Sequence, residues 1–125
     1  MIPQIKIKRI YEEPSAADGY RVLVDRLWPR GISKEHAAIE EWAKDITPTT
    51  EIRKAYGHIV ENWPTFTYQY LQELKHNELV PTFIEKWEEY PVITFVYAAH
   101  DTEHTHALIL QDYMQKLFNQ RFQSS

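Results

Sequence analysis

The stretch Tyr20-Arg21-Val22-Leu23-Val24-Asp25-Arg26-Leu27-Trp28-Pro29-Arg30-Gly31 begins as an apolar run and ends in a charged, proline-bearing turn. Val22-Leu23-Val24, within Tyr20 to Leu27, predicts a strand buried on both faces, the pattern of parallel sheets covered on each side. Working outward, Ile5 and Ile7 alternate with Lys6 and Lys8, which predicts a half-exposed edge strand. Val92 to Tyr97 is rich in β-branched and aromatic residues and predicts a third strand. The Tyr11 to Gly19 connection is short for a parallel crossover, so these residues alone leave an antiparallel first pair open.

Helical spacing fills the rest. Ser33 is a candidate cap for a helix carrying Ile39, Trp42, Ala43 and Ile46 at i, i+3, i+4, i+7. Thr49 is a candidate cap for a short helix stopping at Gly57, where a missing Cβ permits the left-handed conformation. Asn62 precedes a helix with Pro64 in its first turn and Trp63, Phe66, Tyr70 and Leu74 on one face. Leu79, Val80, Phe83, Ile84 and Trp87 form another face before Pro91, and Asp101 is a candidate N-cap for a last helix bearing Ala107, Leu110, Met114 and Leu117. The expected class is α/β: a small, mostly parallel sheet of three or four strands covered by helices, a Rossmann-like three-layer arrangement. Neither repeat nor linker divides the chain, so residues 1–125 are expected to form one domain.

Composition narrows the function. A formal charge of −4 argues against a duplex-nucleic-acid or membrane-surface binder, which would carry an excess of Lys and Arg. The absence of cysteine excludes disulfides, thiolate zinc sites and a Cys nucleophile. The chain shows neither a signal-peptide pattern nor an apolar run approaching the ~20 residues of a membrane span, so a cytoplasmic location is expected. Only three glycines are present, and they form neither G-x-G-x-x-G nor a phosphate loop, so no cofactor is expected.

In parallel sheets ligands bind beyond the carboxyl ends of the strands. Arg9 follows the first strand, Asp25, Arg26, Trp28 and Arg30 follow the second, and Tyr97, Asp101, His104 and His106 close or follow the third. Two arginines can fork onto a phosphate or carboxylate, Trp28 can stack on a ring, and Asp25 or His104 can move a proton. An Asp–Arg pair that merely pins the turn, with Trp28 in the core, explains the same residues. His100 and His104 have metal-ligand spacing, but a helix capped by Asp101 leaves His100 outside it, so no metal is expected. That helix start, with Thr102 and its backbone N–H groups, would favour an anion. Arg53 and His58 flank the short second helix and could reach over the site as a lid.

The Tyr20 to Gly31 stretch, with Tyr97-Ala98-Ala99…Asp101-x-x-His104, Glu51-Ile52-Arg53-Lys54, Gly57-His58 and Trp63…Phe66…Tyr70, resembles the YeaO-like family of small uncharacterised proteins over nearly the whole chain. That family sits in a larger group of domains of unknown function with a His-Cys-His-Arg-like segment after a strand. His104 and His106 match its histidines, while Thr105 and Ala107 stand in place of its Cys and Arg. YeaO-like proteins usually carry Asn at the Thr105 position and often Arg at the His100 position. The resemblance implies parallel strands, because larger relatives place a helix where this chain has only Pro14 to Asp18, and it implies no activity. The expected function is a pocket for a small anionic ligand, a nucleotide among the candidates, in a hydrolase or transferase. The alternatives are a ligand-sensing module that uses the same pocket and a scaffold in which the motif is structural.

Overall fold

The computed structural model describes residues 1–123. Four strands, β1 (Gln4–Arg9), β2 (Tyr20–Leu23), β3 (Glu41–Trp42) and β4 (Val92–Tyr97), form one sheet in the order β1-β4-β2-β3. Every pairing is parallel. β1 and β2 therefore do not touch as a pair, since β4 lies between them, and the short first connection crosses one face of the sheet. It does so without an α-helix, through a 3-10 turn at Ala16–Asp18 capped by Ser15. Gly19 then re-enters the sheet at φ +63°, where an added Cβ would lie 2.3 Å from the Val92 carbonyl oxygen.

This crossing is held by a buried charged group. The Asp18 carboxylate accepts from Arg21 at 2.6 Å and from Lys8 at 3.1 Å, while Arg21 also donates to the Ala37 and Ala38 carbonyls. Thr94 donates to the Asp18 carbonyl at 2.6 Å. Arg21 and Thr94 are neighbours in register, as are Thr94 and Lys6, so one end of this face is polar although covered. Its other end packs Ile10, Leu23, Ala37 and Val96 against Trp28, Ile32, Ile39 and Trp42.

The opposite face carries the main core. Ile5, Val22, Ile93, Phe95 and Tyr97 pack against α3 (Trp63–His76), α4 (Val80–Trp87) and α5 (His106–Gln123), through Phe66, Tyr70, Leu74, Trp87, Leu110 and Met114. Helix α2 (Thr50–Tyr56) ends at Gly57 with φ +57°, as its sequence predicts. The β1 edge is covered from α5: Gln115 accepts from the Ile5 amide and Gln111 donates to the Ile5 carbonyl. Those side chains occupy edge groups that would otherwise template another strand.

Two expected helix boundaries are corrected. The helix expected from Ser33 through Ile46 is only α1 (Lys34–Ala37), ended by Ala38 at φ +48°. Beyond it the chain pairs with β2: the Glu40 and Ala43 amides donate to the Arg21 and Leu23 carbonyls, 2.9 Å each. Those carbonyls sit on an open strand edge and need donors. The last helix begins at His106 rather than after Asp101, and Thr105 Oγ1 accepts from the Ala107 amide at its start. No helix among the described residues is long and apolar enough to cross a membrane.

Candidate functional site

A cavity of about 750 Å³ opens at the carboxyl edge of the sheet. It is walled by the segments after β2 and β4, by the end of α2 and by the first turn of α3. Its size lies within the range of small-molecule pockets.

The segment after β2 forms the floor. The Val24 amide donates to the Val96 carbonyl, continuing the ladder, and Asp25 Oδ2 then accepts from the Ala98 amide at 2.9 Å. The carboxylate thus stands in for a strand carbonyl and ties the ends of β2 and β4. Asp25 Oδ1 is shielded from solvent and lies 3.2 Å from His106 Nε2, yet receives no aligned hydrogen bond. That N–H points instead at the Val24 carbonyl, 2.7 Å away.

Arg26 does not pair with Asp25. It donates through Nε to the Pro48 carbonyl and through Nη2 to the Thr47 carbonyl, anchoring the loop that leads into α2. Trp28 donates Nε1–H to the Ile32 carbonyl at 2.7 Å and sets its ring edge-on to Trp42. Trp28 also faces the cavity, so it belongs both to the smaller core and to the wall.

The opposite wall is aromatic. Tyr56 lies against Phe66 and Trp63 with ring centroids 5.0 and 5.6 Å apart, and Trp63 meets the His104 ring edge-on at 5.4 Å. At one end of this wall α2 presents Arg53 and Lys54, both exposed. Neither side chain makes a salt bridge or hydrogen bond among the described residues. His58 follows at φ +59°, a left-handed conformation that histidine adopts more readily than most residues.

At the other end stand the histidines. Asp101 Oδ1 accepts from the amides of Glu103 and His104, and its Oδ2 pairs with His104 Nδ1 at 2.9 Å. The two amide donors hold the Asp101 carboxyl below its ordinary value, so it stays an acceptor. Because the helix starts only at His106, the side chains of His104 and His106 both reach the same cavity. Among the described residues no group of three or more His, Cys, Asp and Glu is arranged to hold a metal ion.

Of the sequence-derived candidates, Asp25, Arg26, Trp28, Arg53, His58, His104 and His106 line the cavity. Arg9, Arg30, Tyr97 and Asp101 do not. Arg9 donates to the Ala98 and Ala99 carbonyls and lies over the Tyr11 ring, tying β1 to β4. Arg30 is exposed; its carbonyl accepts from the Tyr11 hydroxyl, and its guanidinium has no hydrogen bond or ion pair among the described residues. Tyr97 is buried in the core, and burial pushes its hydroxyl up. Asp101 acts behind His104. Lys54, Tyr56, Trp63 and Phe66 are cavity residues that the sequence does not single out; Tyr56 and Phe66 belong to the main core, with Trp63 packed against it, and all three aromatic rings serve as wall too.

Comparison with known proteins adds family relationships. The family model described as "Inactive DUF488-N3 subclade" matches residues 4–125. The uncharacterized protein YeaO of Escherichia coli K12 is 44% identical over 113 residues, covering 90% of this chain and 98% of that protein. The uncharacterized protein Rv3073c of Mycobacterium tuberculosis H37Rv is 36% identical over 107 residues, 86% of this chain and 90% of its own length. No solved structure matches the chain at a significant level.

Proposed function

We propose, on the premise that the chain belongs to the YeaO-like family described as the Inactive DUF488-N3 subclade, that its cavity binds a small anion carrying a planar ring, without turnover. The observation that carries this reading is the pair of cations Arg53 and Lys54, unengaged among the described residues, beside an aromatic wall at the carboxyl edge of a parallel sheet. An unpaired guanidinium and ammonium at a cavity mouth favour phosphate or carboxylate. Tyr56, Trp63 and Trp28 offer faces or edges for a flat ring. A cytoplasmic small-molecule sensor fits these features and the cysteine-free composition.

Absence of turnover is supported by the way Asp25 is used. Its Oδ2 ties two strand ends and its Oδ1 is shielded, so it would have to break the sheet edge to accept a substrate proton. The family description points the same way. One observation favours the enzymatic alternative, a hydrolase or transferase: the Asp101–His104 pair leaves an oriented imidazole facing the cavity.

Calorimetric titration with inorganic phosphate, ribose 5-phosphate and nucleoside monophosphates tests the binding reading. Ribose 5-phosphate or a nucleotide is expected to bind, and Arg53→Ala with Lys54→Ala to weaken it about tenfold or more. If no compound binds at millimolar concentration, or the double variant binds as tightly as the parent, the reading fails. Turnover of any phosphoester in the same panel, lost in His104→Ala, would replace it with the enzymatic one.

A further inference from the structure

The two histidines in the cavity have their tautomers set by groups that can only accept. His104 Nδ1 faces the Asp101 carboxylate at 2.9 Å, so Nδ1 carries the hydrogen and the neutral ring leaves Nε2 as an acceptor. His106 Nε2 faces the Val24 carbonyl at 2.7 Å with Asp25 Oδ1 at 3.2 Å, both acceptors, so Nε2 carries the hydrogen and leaves Nδ1. Neither His104 Nε2 nor His106 Nδ1 has a hydrogen bond among the described residues, and neither is sealed from solvent as Asp25 Oδ1 is. The cavity is therefore lined by two cations of α2, an aromatic wall and two imidazoles that each keep one ring nitrogen as an acceptor.

We infer that the cavity is selective for a phosphorylated ligand whose ring carries an exocyclic amino group, as in an adenine or cytosine nucleotide. This rests on the anion-and-ring reading above and extends it to the base edge. An amino group offers two N–H donors to these lone pairs. A lactam edge, as in hypoxanthine or uracil, sets a carbonyl oxygen against them, and an acceptor facing an acceptor is penalised more than a missing contact. His104 and His106 are the specificity-determining residues, and Asp101 is a positioning residue acting through His104.

The test compares AMP with IMP, and CMP with UMP, at pH 8, above the range in which imidazoles ordinarily protonate. Each pair differs at the amino position while keeping the phosphate. AMP and CMP are expected to bind about tenfold or more tighter than IMP and UMP. His104→Phe preserves a ring against Trp63 without the acceptor. It should bring AMP down towards IMP and so narrow the AMP-to-IMP ratio. Asp101→Asn should narrow the AMP-to-IMP ratio through the same ring. Ring nitrogen-15 spectra of the wild-type protein give a check independent of any ligand: the hydrogen is expected on Nδ1 of His104 and Nε2 of His106. Equal affinity for AMP and IMP, with both tighter than ribose 5-phosphate, overturns the amino selectivity and leaves the anion-and-ring reading standing. No binding of any phosphate overturns both, and the opposite tautomer at either histidine overturns the selectivity alone.

Discussion

The guanidinium of Arg26 donates to the Pro48 and Thr47 carbonyls, whereas that of Arg30 projects into solvent only four residues later. Removing the first strands two part-buried carbonyls, and Arg26→Ala is expected to cost about 2 kcal/mol in urea unfolding. Arg30→Ala should stay within roughly 0.5 kcal/mol of the parent, as for a surface residue without partners. Equal costs would mean that the loop anchor is misassigned. A different residue governs acid sensitivity. Burial pushes the Asp18 carboxyl up, but the Ser15 amide, Lys8 and Arg21 outweigh it and leave it below its ordinary value of 3.8. A carboxyl depressed in the folded state contributes stability that is complete above its unfolded value and is lost as pH falls through the folded one. Asp18→Asn should therefore cost about 3 kcal/mol at neutral pH, because it leaves Arg21 buried without its counter-charge. It should also flatten the fall in stability below about pH 4. A variant curve running parallel to the parent's in that range would remove Asp18 as a source of the acid response.

At the scale of elements, Gly19 and Gly57 both have positive φ but differ in surroundings. A Cβ at Gly19 would meet the Val92 carbonyl oxygen at 2.3 Å, backbone that cannot yield, whereas at Gly57 the nearest atom is the Lys54 carbonyl oxygen at 3.5 Å. Gly19→Ala is expected to cost about 3 kcal/mol or more, and Gly57→Ala about 1 to 2 kcal/mol from the left-handed backbone alone. Thermal unfolding of the two variants should rank them in that order, and the reverse ranking would deny that β4 closes on the crossover. The same elements explain what the chain's sequence conveys. Strands β2 and β4 are legible because their apolar runs are continuous, and α2 because Gly57 stops it. The stripe Ile39, Trp42, Ala43, Ile46 misled because its members divide between the two faces of the sheet: Ile39 and Trp42 join the small core, Ala43 and Ile46 the large one. Helical periodicity cannot distinguish one face of a helix from two sides of a sheet edge. The late start of α5 was hidden because Asp101 is a good cap by type, but its carboxylate serves the turn Asp101 to His104 instead. Candidate residues from separate strands were legible because parallel pairing gathers them at one edge. The aromatic wall was not, since a residue's share in a core says nothing of the cavity that core borders.

Over the whole molecule, net charge and local charge oppose each other. The chain carries a formal charge of −4, yet the cavity mouth presents Arg53 and Lys54, which have no carboxylate partner among the described residues. A phosphate approaching from solution meets an overall repulsive field and a short-range attractive one. Salt screens both, over a Debye length of about 14 Å at 50 mM and about 4 Å at 500 mM. The attraction acts at contact distance and is weakened only in part, while the long-range repulsion disappears. The expected outcome is a modest salt dependence: AMP affinity should fall no more than about threefold across that range, instead of the steep loss typical of polyphosphate binders. In the Arg53→Ala, Lys54→Ala variant the attraction is gone and only the repulsion remains to be screened, so residual AMP binding should hold steady or tighten slightly with salt. Calorimetry of both proteins at the two salt concentrations measures the difference of slopes. A parent slope as flat as the variant's would show that the anion does not dock on α2, and a loss of about a hundredfold in the parent would require more cations than this cavity mouth presents.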